Sequence, residues 1–396
     1  MTKLFAFLFF FAILSSSVNA QALPGAYDTQ AYLPLLKGKK VGVFANQTSV
    51  IGEVHLVDSL RSLGIEITKI FGPEHGFRGT ANAGEKVDSY IDKQTGILVV
   101  SLYGKKSKPS AEDLKDVDVL LFDLQDVGTR FYTYISSLQS FIEAAIDNKK
   151  PLIILDRPNP NGFYIDGPVL EKGYESGVGK QSVPVVYGMT IAEYGLMLIG
   201  EKWLSSVSDY DPAKVSVKII KCSNYTHKTR YTLPVKPSPN LSDMQAVYWY
   251  PSTCFFEGTV FSEGRGTIYP FQIFGHPSLP DSLFRFVPES VPGATDPKLK
   301  GQTCYGWNVH EITPPENKIE LRWLLQAYKL FPDKNKFFLP TKSGKPTDFF
   351  FNKLAGNSEL MQQIQEGKSE AEIRTSWQPG LEKFKKIRAK YLLYAD

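Results

Sequence analysis

Through the first half of the chain, short unbroken apolar runs alternate with stretches whose apolar residues recur every three or four positions. Lys40 to Phe44, Ile65 to Phe71, Ile97 to Leu102, Val117 to Phe122, Pro151 to Leu155 and Val215 to Lys221 are strand-like in length and β-branched content. Between them, Val54 to Leu63 carries Val54, Val57, Leu60 and Leu63 at helical spacing, and Tyr134 to Asn148 reads as a second helix. Two further helix starts have side chains that can close on their own backbone. Ser110 has Asp113 three residues on, and Thr190 has Glu193, opening a helix that runs to Trp203. Strands apolar on both faces and separated by helices predict a parallel sheet covered on both sides. The expected fold class is α/β, a Rossmann-like doubly wound parallel sheet, with a second, smaller α+β domain.

The pattern changes after a Pro-rich connector, Lys236-Pro237-Ser238-Pro239-Asn240-Leu241-Ser242. Tyr248 to Arg265 is aromatic and Gly-rich, and residues 278–345 mix helical and strand runs, with a clear helix near Leu321 to Leu330. Residues 356–392 are mostly helical, with Trp377-Gln378-Pro379-Gly380 expected as a break. A boundary near residue 235 makes 21–235 the Rossmann-like catalytic domain and 236–396 the domain that closes its cleft. Residues 1–20 read as a secretory signal. Lys3 supplies the positive start, Leu4 to Leu14 the apolar run, and Val18-Asn19-Ala20 a small-residue site cleaved after Ala20. A secreted or periplasmic protein is expected. No later segment approaches the roughly 18 consecutive apolar residues of a membrane span, so no stable membrane insertion is expected once the signal is removed.

Composition narrows this picture. The charge of +4 is spread over 396 residues without a basic stripe, which argues against a nucleic-acid partner. Aromatics make up 13% of the chain, which suits walls for sugar rings but equally an ordinary core. Cys222, Cys254 and Cys304 allow one bridge in an oxidising compartment, without choosing the pair. No CxxC or HExxH spacing occurs, and Asn46-Gln47-Thr48 stands after the first strand in place of a Gly-rich dinucleotide loop. Neither a metal nor a cofactor is expected. No GxSxG elbow supports a serine hydrolase.

Polar clusters follow the strands. Phe71-Gly72-Pro73-Glu74-His75-Gly76-Phe77-Arg78-Gly79 packs a carboxylate, an imidazole and a guanidinium into one turn at a strand end, where ligands bind in open α/β folds. A glycosidase needs a carboxylic acid that still holds its proton near neutral pH, and Glu74 suits that role, with His75 sharing or orienting the proton. The plainer reading is a helix cap and a loop tie. Asp123-Leu124-Gln125-Asp126-Val127-Gly128-Thr129-Arg130-Phe131-Tyr132-Thr133-Tyr134 leaves a strand and enters a helix, with Arg130 suited to grip a carboxylate. There the plainer reading is a capping acid paired with Arg130. Asp156-Arg157-Pro158-Asn159-Pro160 ends the next strand, as a sugar contact or as a structural pair. In the second half, Glu257 and the run Ser262-Glu263-Gly264-Arg265-Gly266-Thr267 either close the cleft or form solvated turns.

These segments, with Gly42 to Thr48 and Pro237 to Leu241, resemble the family long catalogued as DUF1343 and associated with NamZ-type exo-β-N-acetylmuramidases, glycoside hydrolase family 171. The resemblance runs through most of the mature chain. It implies a Rossmann-like domain and a smaller one with the active site between, and removal of terminal N-acetylmuramic acid from non-reducing ends of peptidoglycan fragments. The implied partner is a peptidoglycan-derived glycan or muropeptide. Carried over, Glu74 becomes the leading candidate for the acid, beside His75, with Asp123 or Asp126 as second carboxylate. Asn46, Arg78, Gln125, Asp126, Arg130, Tyr132, Asp156, Arg157, Asn159, Asn240, Glu257, Glu263 and Arg265 become contacts to the sugar and its lactyl carboxylate. Two carboxyls about 5 Å apart would imply a retaining enzyme, and roughly 6.5–9.5 Å an inverting one. A route through the N-acetyl group stays open. Alternatives are a metal-assisted hydrolase built on Glu74, His75, Asp123 and Asp156, and a non-catalytic cell-wall binding protein.

Overall fold

A seven-stranded sheet lies at the centre of the computed structural model, which describes residues 21–79, 88–204 and 210–396. The signal-like residues 1–20 fall outside the described residues. The chain runs through α1 (Thr29–Leu36), β1 (Lys40–Ala45), the short strands β2 (Val50–Ile51) and β3 (Val54–His55), α2 (Leu56–Ser62), β4 (Glu66–Gly72), β5 (Tyr90–Ile91), β6 (Leu98–Ser101), α3 (Ala111–Leu114), β7 (Val119–Asp123), α4 (Tyr134–Asp147) and β8 (Leu152–Leu155). The hairpin strands β9 (Asp166–Val169) and β10 (Pro184–Val186) follow, then α5 (Ile191–Gly200) and β11 (Val217–Ile220).

The sheet order is β11-β8-β7-β1-β4-β6-β5, parallel throughout except that β5 runs against β6. The chain starts in the middle, builds outward through β4 and β6, then returns past β1 to build β7, β8 and β11 the other way. That reversal is the doubly wound pattern, and it leaves a crevice at the carboxyl ends of the strands beside β1. The apolar runs are continuous because both faces are covered. Val41, Val43, Val119 and Leu121 pack with Tyr32, Leu56 and Leu60 from α1 and α2. Phe44, Leu120 and Phe122 pack on the other side with Leu138 and Phe141 of α4, the Phe44 and Phe141 rings 5.0 Å apart. Both capping boxes close, at Ser110–Asp113 and at Thr190–Glu193.

Beyond the connector come α6 (Met244–Thr253), a three-stranded antiparallel sheet of β12 (Ile273–His276), β13 (Phe284–Phe286) and β14 (Cys304–Asn308), and the helices α7 (Arg322–Leu330), α8 (Phe350–Ala355), α9 (Glu359–Gln365) and α10 (Glu370–Arg388). Apart from a small cluster of Ile273, Phe286 and Cys304 in its sheet, this half shares the core of the first. The α4 face of the first sheet and the apolar residues of α6, α7, α8 and α10 belong to one continuous cluster.

Two expected details differ. The helix predicted from Val54 begins at Leu56, because His55 caps it, its ring nitrogen accepting from the Val57 N–H. No break occurs at Pro379: α10 runs straight through it. Proline removes one helical hydrogen bond, but Trp377, Leu381 and Phe384 on either side are buried in the core. Gly380 lets the helix sit close to β9, since a Cβ there would lie 3.2 Å from the Val169 side chain. That burial outweighs the lost bond. The three cysteines are buried free thiols, so the bridge the sequence allowed is not formed.

Candidate active site

The carboxyl end of β4 carries the turn that the sequence singled out. His75 has φ 67° and Gly76 φ 74°, two successive left-handed residues that swing the chain away from the sheet. At the end of β1, the Asn46 side-chain oxygen accepts from the Thr48 N–H (2.9 Å) and hydroxyl (2.6 Å), while its amide donates to the Tyr134 hydroxyl at 2.7 Å. The Pro-rich connector is fastened across these strand ends. Tyr132 donates to the Pro237 carbonyl at 2.7 Å, Gln47 donates to the same oxygen at 3.1 Å, and the Ser238 hydroxyl meets His75 Nε2 at 3.4 Å. The Asn240 amide donates to the Gly293 carbonyl at 3.0 Å, tying the connector to the second half.

These elements leave a cleft of about 400 Å³ lined by Glu74, Tyr103, Phe131, Thr133, Tyr250, Glu257 and Arg265, with Ser136, Ser137, Ser140 and Lys180 also on its wall. That volume is within the range of ligand pockets. A side hollow of about 70 Å³ adjoins it, lined by Glu74, His75, Tyr132, Tyr134, Ser238 and Phe271. Glu74, Phe131, Thr133, Tyr250 and Arg265 face both. A larger cavity of about 590 Å³ lies beside α10 against Trp203, Trp377 and Phe384. It contains none of the sequence-predicted site residues, and its carboxylates, Glu171, Glu201 and Glu359, do not stand at the strand ends of the central sheet, so the cleft is the better candidate.

Glu74 is hydrogen-bonded to the Tyr103 hydroxyl, which burial and the neighbouring Glu74 charge push up to about 12. Across the cleft, the Arg265 guanidinium pairs with Glu257 and, at 2.9 Å, with Glu263, and lies 4.7 Å over the Phe271 ring. Lys298 also pairs with Glu263 at 2.8 Å. Burial pushes the Glu263 carboxyl up, but the Lys298 and Arg265 charges outweigh it and bring it down to about 2.

Of the predicted residues, Glu74, His75, Tyr132, Glu257 and Arg265 line the cleft or its side hollow. Asn46 stands behind Tyr134. The others are engaged elsewhere. Asp123 is fully buried and chelated by Arg157, with Oδ1–Nε 2.5 Å and Oδ2–Nη2 2.8 Å, so it is neither a free carboxylate nor a wall of the cleft. Arg157 is consumed by the same pair. Asp126 accepts from the Tyr187 hydroxyl and the Gly128 N–H, and burial raises it to about 6. Gln125 donates to the Asp126 and Pro158 carbonyls. Arg130 has no carboxylate to grip. Its fully buried guanidinium donates to the carbonyls of Pro168, Val183 and Leu354, and burial lowers it to about 9. Asp156 accepts from Tyr394 at 2.6 Å, and burial raises it to about 7. Asn159 donates to the Met189 carbonyl, and Arg78 pairs with Asp92 at 2.9 Å. Asn240 and Glu263 are buried supports, of the connector and of Arg265.

The sequence reading missed Tyr103, Thr133, Tyr134, Tyr250 and Lys180 on the cleft wall. Tyr103 stands just past β6 and was reachable by the same strand-end rule that found Glu74. Lys180 has no such signal, standing just after the Ser176–Gly179 turn and away from the ends of the central strands. Among the described residues no three His, Cys, Asp or Glu side chains gather as a metal site, and Asp123 and Asp156 do not join Glu74 and His75.

The family models for the N-terminal and C-terminal parts of the exo-β-N-acetylmuramidase NamZ match residues 41–245 and 248–394. The chain belongs to the NamZ family. It is an enzyme, a glycoside hydrolase. A NamZ-family relative, the peptidoglycan β-N-acetylmuramidase NamZ of Bacillus subtilis (strain 168), is 39% identical over 381 residues, covering 92% of this chain and 89% of that one. Two crystal structures of DUF1343 family proteins from Bacteroides fragilis NCTC 9343 share the fold. One has a TM-score of 0.84 and 41% identity over 95% of this chain and 100% of its own, the other 0.77 and 29% over 94% and 99%. The resemblance read from the NamZ-like segments is thus established as family membership, along with the α/β fold.

Proposed function

We infer that this enzyme is an exo-β-N-acetylmuramidase that releases terminal N-acetylmuramic acid from the non-reducing ends of peptidoglycan fragments. The family models, named for an exo-β-N-acetylmuramidase, and the Bacillus subtilis relative, named as a peptidoglycan β-N-acetylmuramidase, support the reaction. The observation that carries the assignment of residues is the position of Glu74, a carboxylate at the strand ends facing both the cleft and its side hollow.

In this reading Glu74 protonates the leaving oxygen of the glycosidic bond, held in place by the Tyr103 hydroxyl. Among the described residues, the second carboxyl on the cleft wall is Glu257, braced by Arg265. It replaces Asp123 and Asp126 as the partner acid, acting on the sugar or on water, unless the substrate's own N-acetyl group attacks the anomeric carbon. Phe131 and Tyr250 supply aromatic surface for the sugar ring. His75, bonded to Ser238, sets the connector against the acid's turn.

The leader-like residues 1–20 support a secreted or periplasmic enzyme, cleaved after Ala20, acting in cell-wall turnover and recycling. Its partner is a glycan or muropeptide fragment. The test is hydrolysis of a chromogenic β-MurNAc glycoside, with free MurNAc detected by mass spectrometry. Glu74→Gln is expected to lose about 10²–10⁴ in kcat, the range for a general acid. Turnover within threefold of wild type would remove Glu74 from that role.

A further inference from the structure

Among the described residues, the cleft wall bears two basic side chains, Arg265 and Lys180. Arg265 is already neutralised: Glu257 and Glu263 face it, and Lys298 balances the second of these. Lys180 is different. Its half-buried ammonium donates to the Ser140 hydroxyl at 3.0 Å and the Ser136 carbonyl at 3.3 Å, and it forms no ion pair among the described residues. Glu143 exerts a charge effect on it, and that carboxylate is also engaged by Gln139 at 3.0 Å. Burial lowers the Lys180 ammonium below its ordinary range, as expected of a cation held out of water without a partner of opposite charge.

The surroundings of Lys180 are those of an anion subsite. Ser136, Ser137 and Ser140 present hydroxyls along the first turns of α4, and that end of the helix is its positive end. Thr133, at the start of the same helix, borders the wall shared with Glu74. Ser136 and Ser140 lie three and seven residues further on, which places the ammonium roughly 5–10 Å along the helix axis at 1.5 Å per residue. That is about the reach from an anomeric carbon to an acid group carried on the same sugar.

We propose that Lys180, with the Ser136–Ser140 hydroxyls, binds the lactyl carboxylate of the terminal sugar and so selects muramic acid over its neutral counterpart. This rests on the muramidase reading above, and it replaces Arg130 and Arg265 as readers of that carboxylate. The two unused requirements then meet: among the described residues Lys180 is a cleft cation with no ion-paired carboxylate, and the substrate holds one anion remote from the reacting bond. Lys180 is a specificity residue, which leaves proton transfer to Glu74.

The experiment compares kcat/KM on three chromogenic glycosides, of MurNAc, of its lactyl methyl ester, and of GlcNAc, for wild type, Lys180→Met and Lys180→Arg. Wild type is expected to favour the free acid over the ester roughly 10- to 100-fold, the scale of one hydrogen bond to a charged group. Lys180→Met should erase that preference, mainly through KM, while its turnover of the ester stays within threefold of wild type. Lys180→Arg should restore part of the preference. A wild type that hydrolyses acid and ester equally well overturns the assignment without any variant, and so does a Lys180→Met enzyme that still discriminates. A wild type inert on every muramic glycoside, yet folded, overturns the muramidase reading and this assignment with it.

Discussion

Replacing Asp123 by Asn separates a structural carboxylate from a catalytic one. Asp123 and Arg157 are essentially inaccessible, at 0% and 1% side-chain exposure, and are joined by two hydrogen bonds of 2.5 and 2.8 Å. Burial alone would lower the Arg157 guanidinium, and the Asp123 carboxylate reverses that, so Asp123 offsets the cost of burying a guanidinium that stays charged. An amide of the same shape removes the anion but leaves the cation in place. Removing one member of a buried pair costs about 3–5 kcal/mol. At about 2.1 cal/mol/K of unfolding entropy per residue, a chain of 396 residues loses roughly 4–6 °C of Tm. The assay is thermal unfolding of Asp123→Asn alongside its kcat at 15 °C, where the folded form still dominates. The expected result is a Tm lowered by that amount with kcat within threefold of wild type, the reverse of Glu74→Gln, which should keep its Tm and lose turnover. An Asp123→Asn protein with an unchanged Tm and a kcat down a hundredfold would refute the reasoning and return Asp123 to the chemistry.

Glu263, brought down to about 2 from an ordinary 4.5, contributes stability that is present above pH 4.5 and lost as pH falls toward 2; at 1.36 kcal/mol per unit this is about 3 kcal/mol, and Lys298→Met should move the acid-unfolding midpoint to higher pH, an unchanged midpoint counting against it. Asp156 has the opposite sign: raised to about 7 from 3.8, it keeps a proton in the folded state that the unfolded chain releases, so stability declines by about 4 kcal/mol as pH rises from 4 to 7. Asp156→Asn should flatten that slope in urea titrations at pH 5 and 7.5, and an unaltered slope would contradict it. The thiols of Cys222, Cys254 and Cys304 are buried and raised by burial, Cys304 to about 12; a disulfide-exchange reagent should titrate three of them only after denaturation, and Tm should not respond to reductant.

The sheet was legible because its strands satisfy two rules at once, being apolar on every residue and spaced by helices. Lys40–Ala45, Glu66–Gly72 and Val119–Asp123 fall within two residues of the expected runs. Both Ser110 and Thr190 caps were readable, since a hydroxyl and a carboxylate three residues apart at a helix start close on their own backbone. The Pro379 error has a tertiary cause: nothing local shows that Trp377 and Phe384 share one buried face. The site was legible in position but not in direction. Strand ends were found, yet which side chains face the cleft depends on parity. Asp123 has the parity of Val119 and Leu121, which point toward α1 and α2, whereas Phe122 points toward α4, the helix that borders the cleft. Applying the two-residue alternation through the last strand residue would have placed Asp123 behind the sheet. No such rule reaches Arg130, whose three carbonyl partners lie 38, 53 and 224 residues away.

Most of the polar residues in the family-like segments therefore hold the cleft from behind. Arg130 joins the β9–β10 hairpin to the end of α8 through the Leu354 carbonyl. Asp156, at the end of β8, receives the hydroxyl of Tyr394, and the buried Glu193 accepts from the backbone of Leu393 and Tyr394. Each tie reaches from the first sheet to the last residues of the chain or to the second half. Buried polar links of this kind are costly when half satisfied and confer a defined geometry when complete. Glu74 and Arg265 come from opposite halves of the sequence, and no contact between those two is needed to align them, because the halves share one apolar core and these buried ties. A carboxylate chemistry that depends on spacings of a few ångströms requires such bracing. Long polar motifs in an enzyme of this design thus mark the frame as much as the chemistry, and the reacting groups are found by asking which of them the frame leaves facing the cleft.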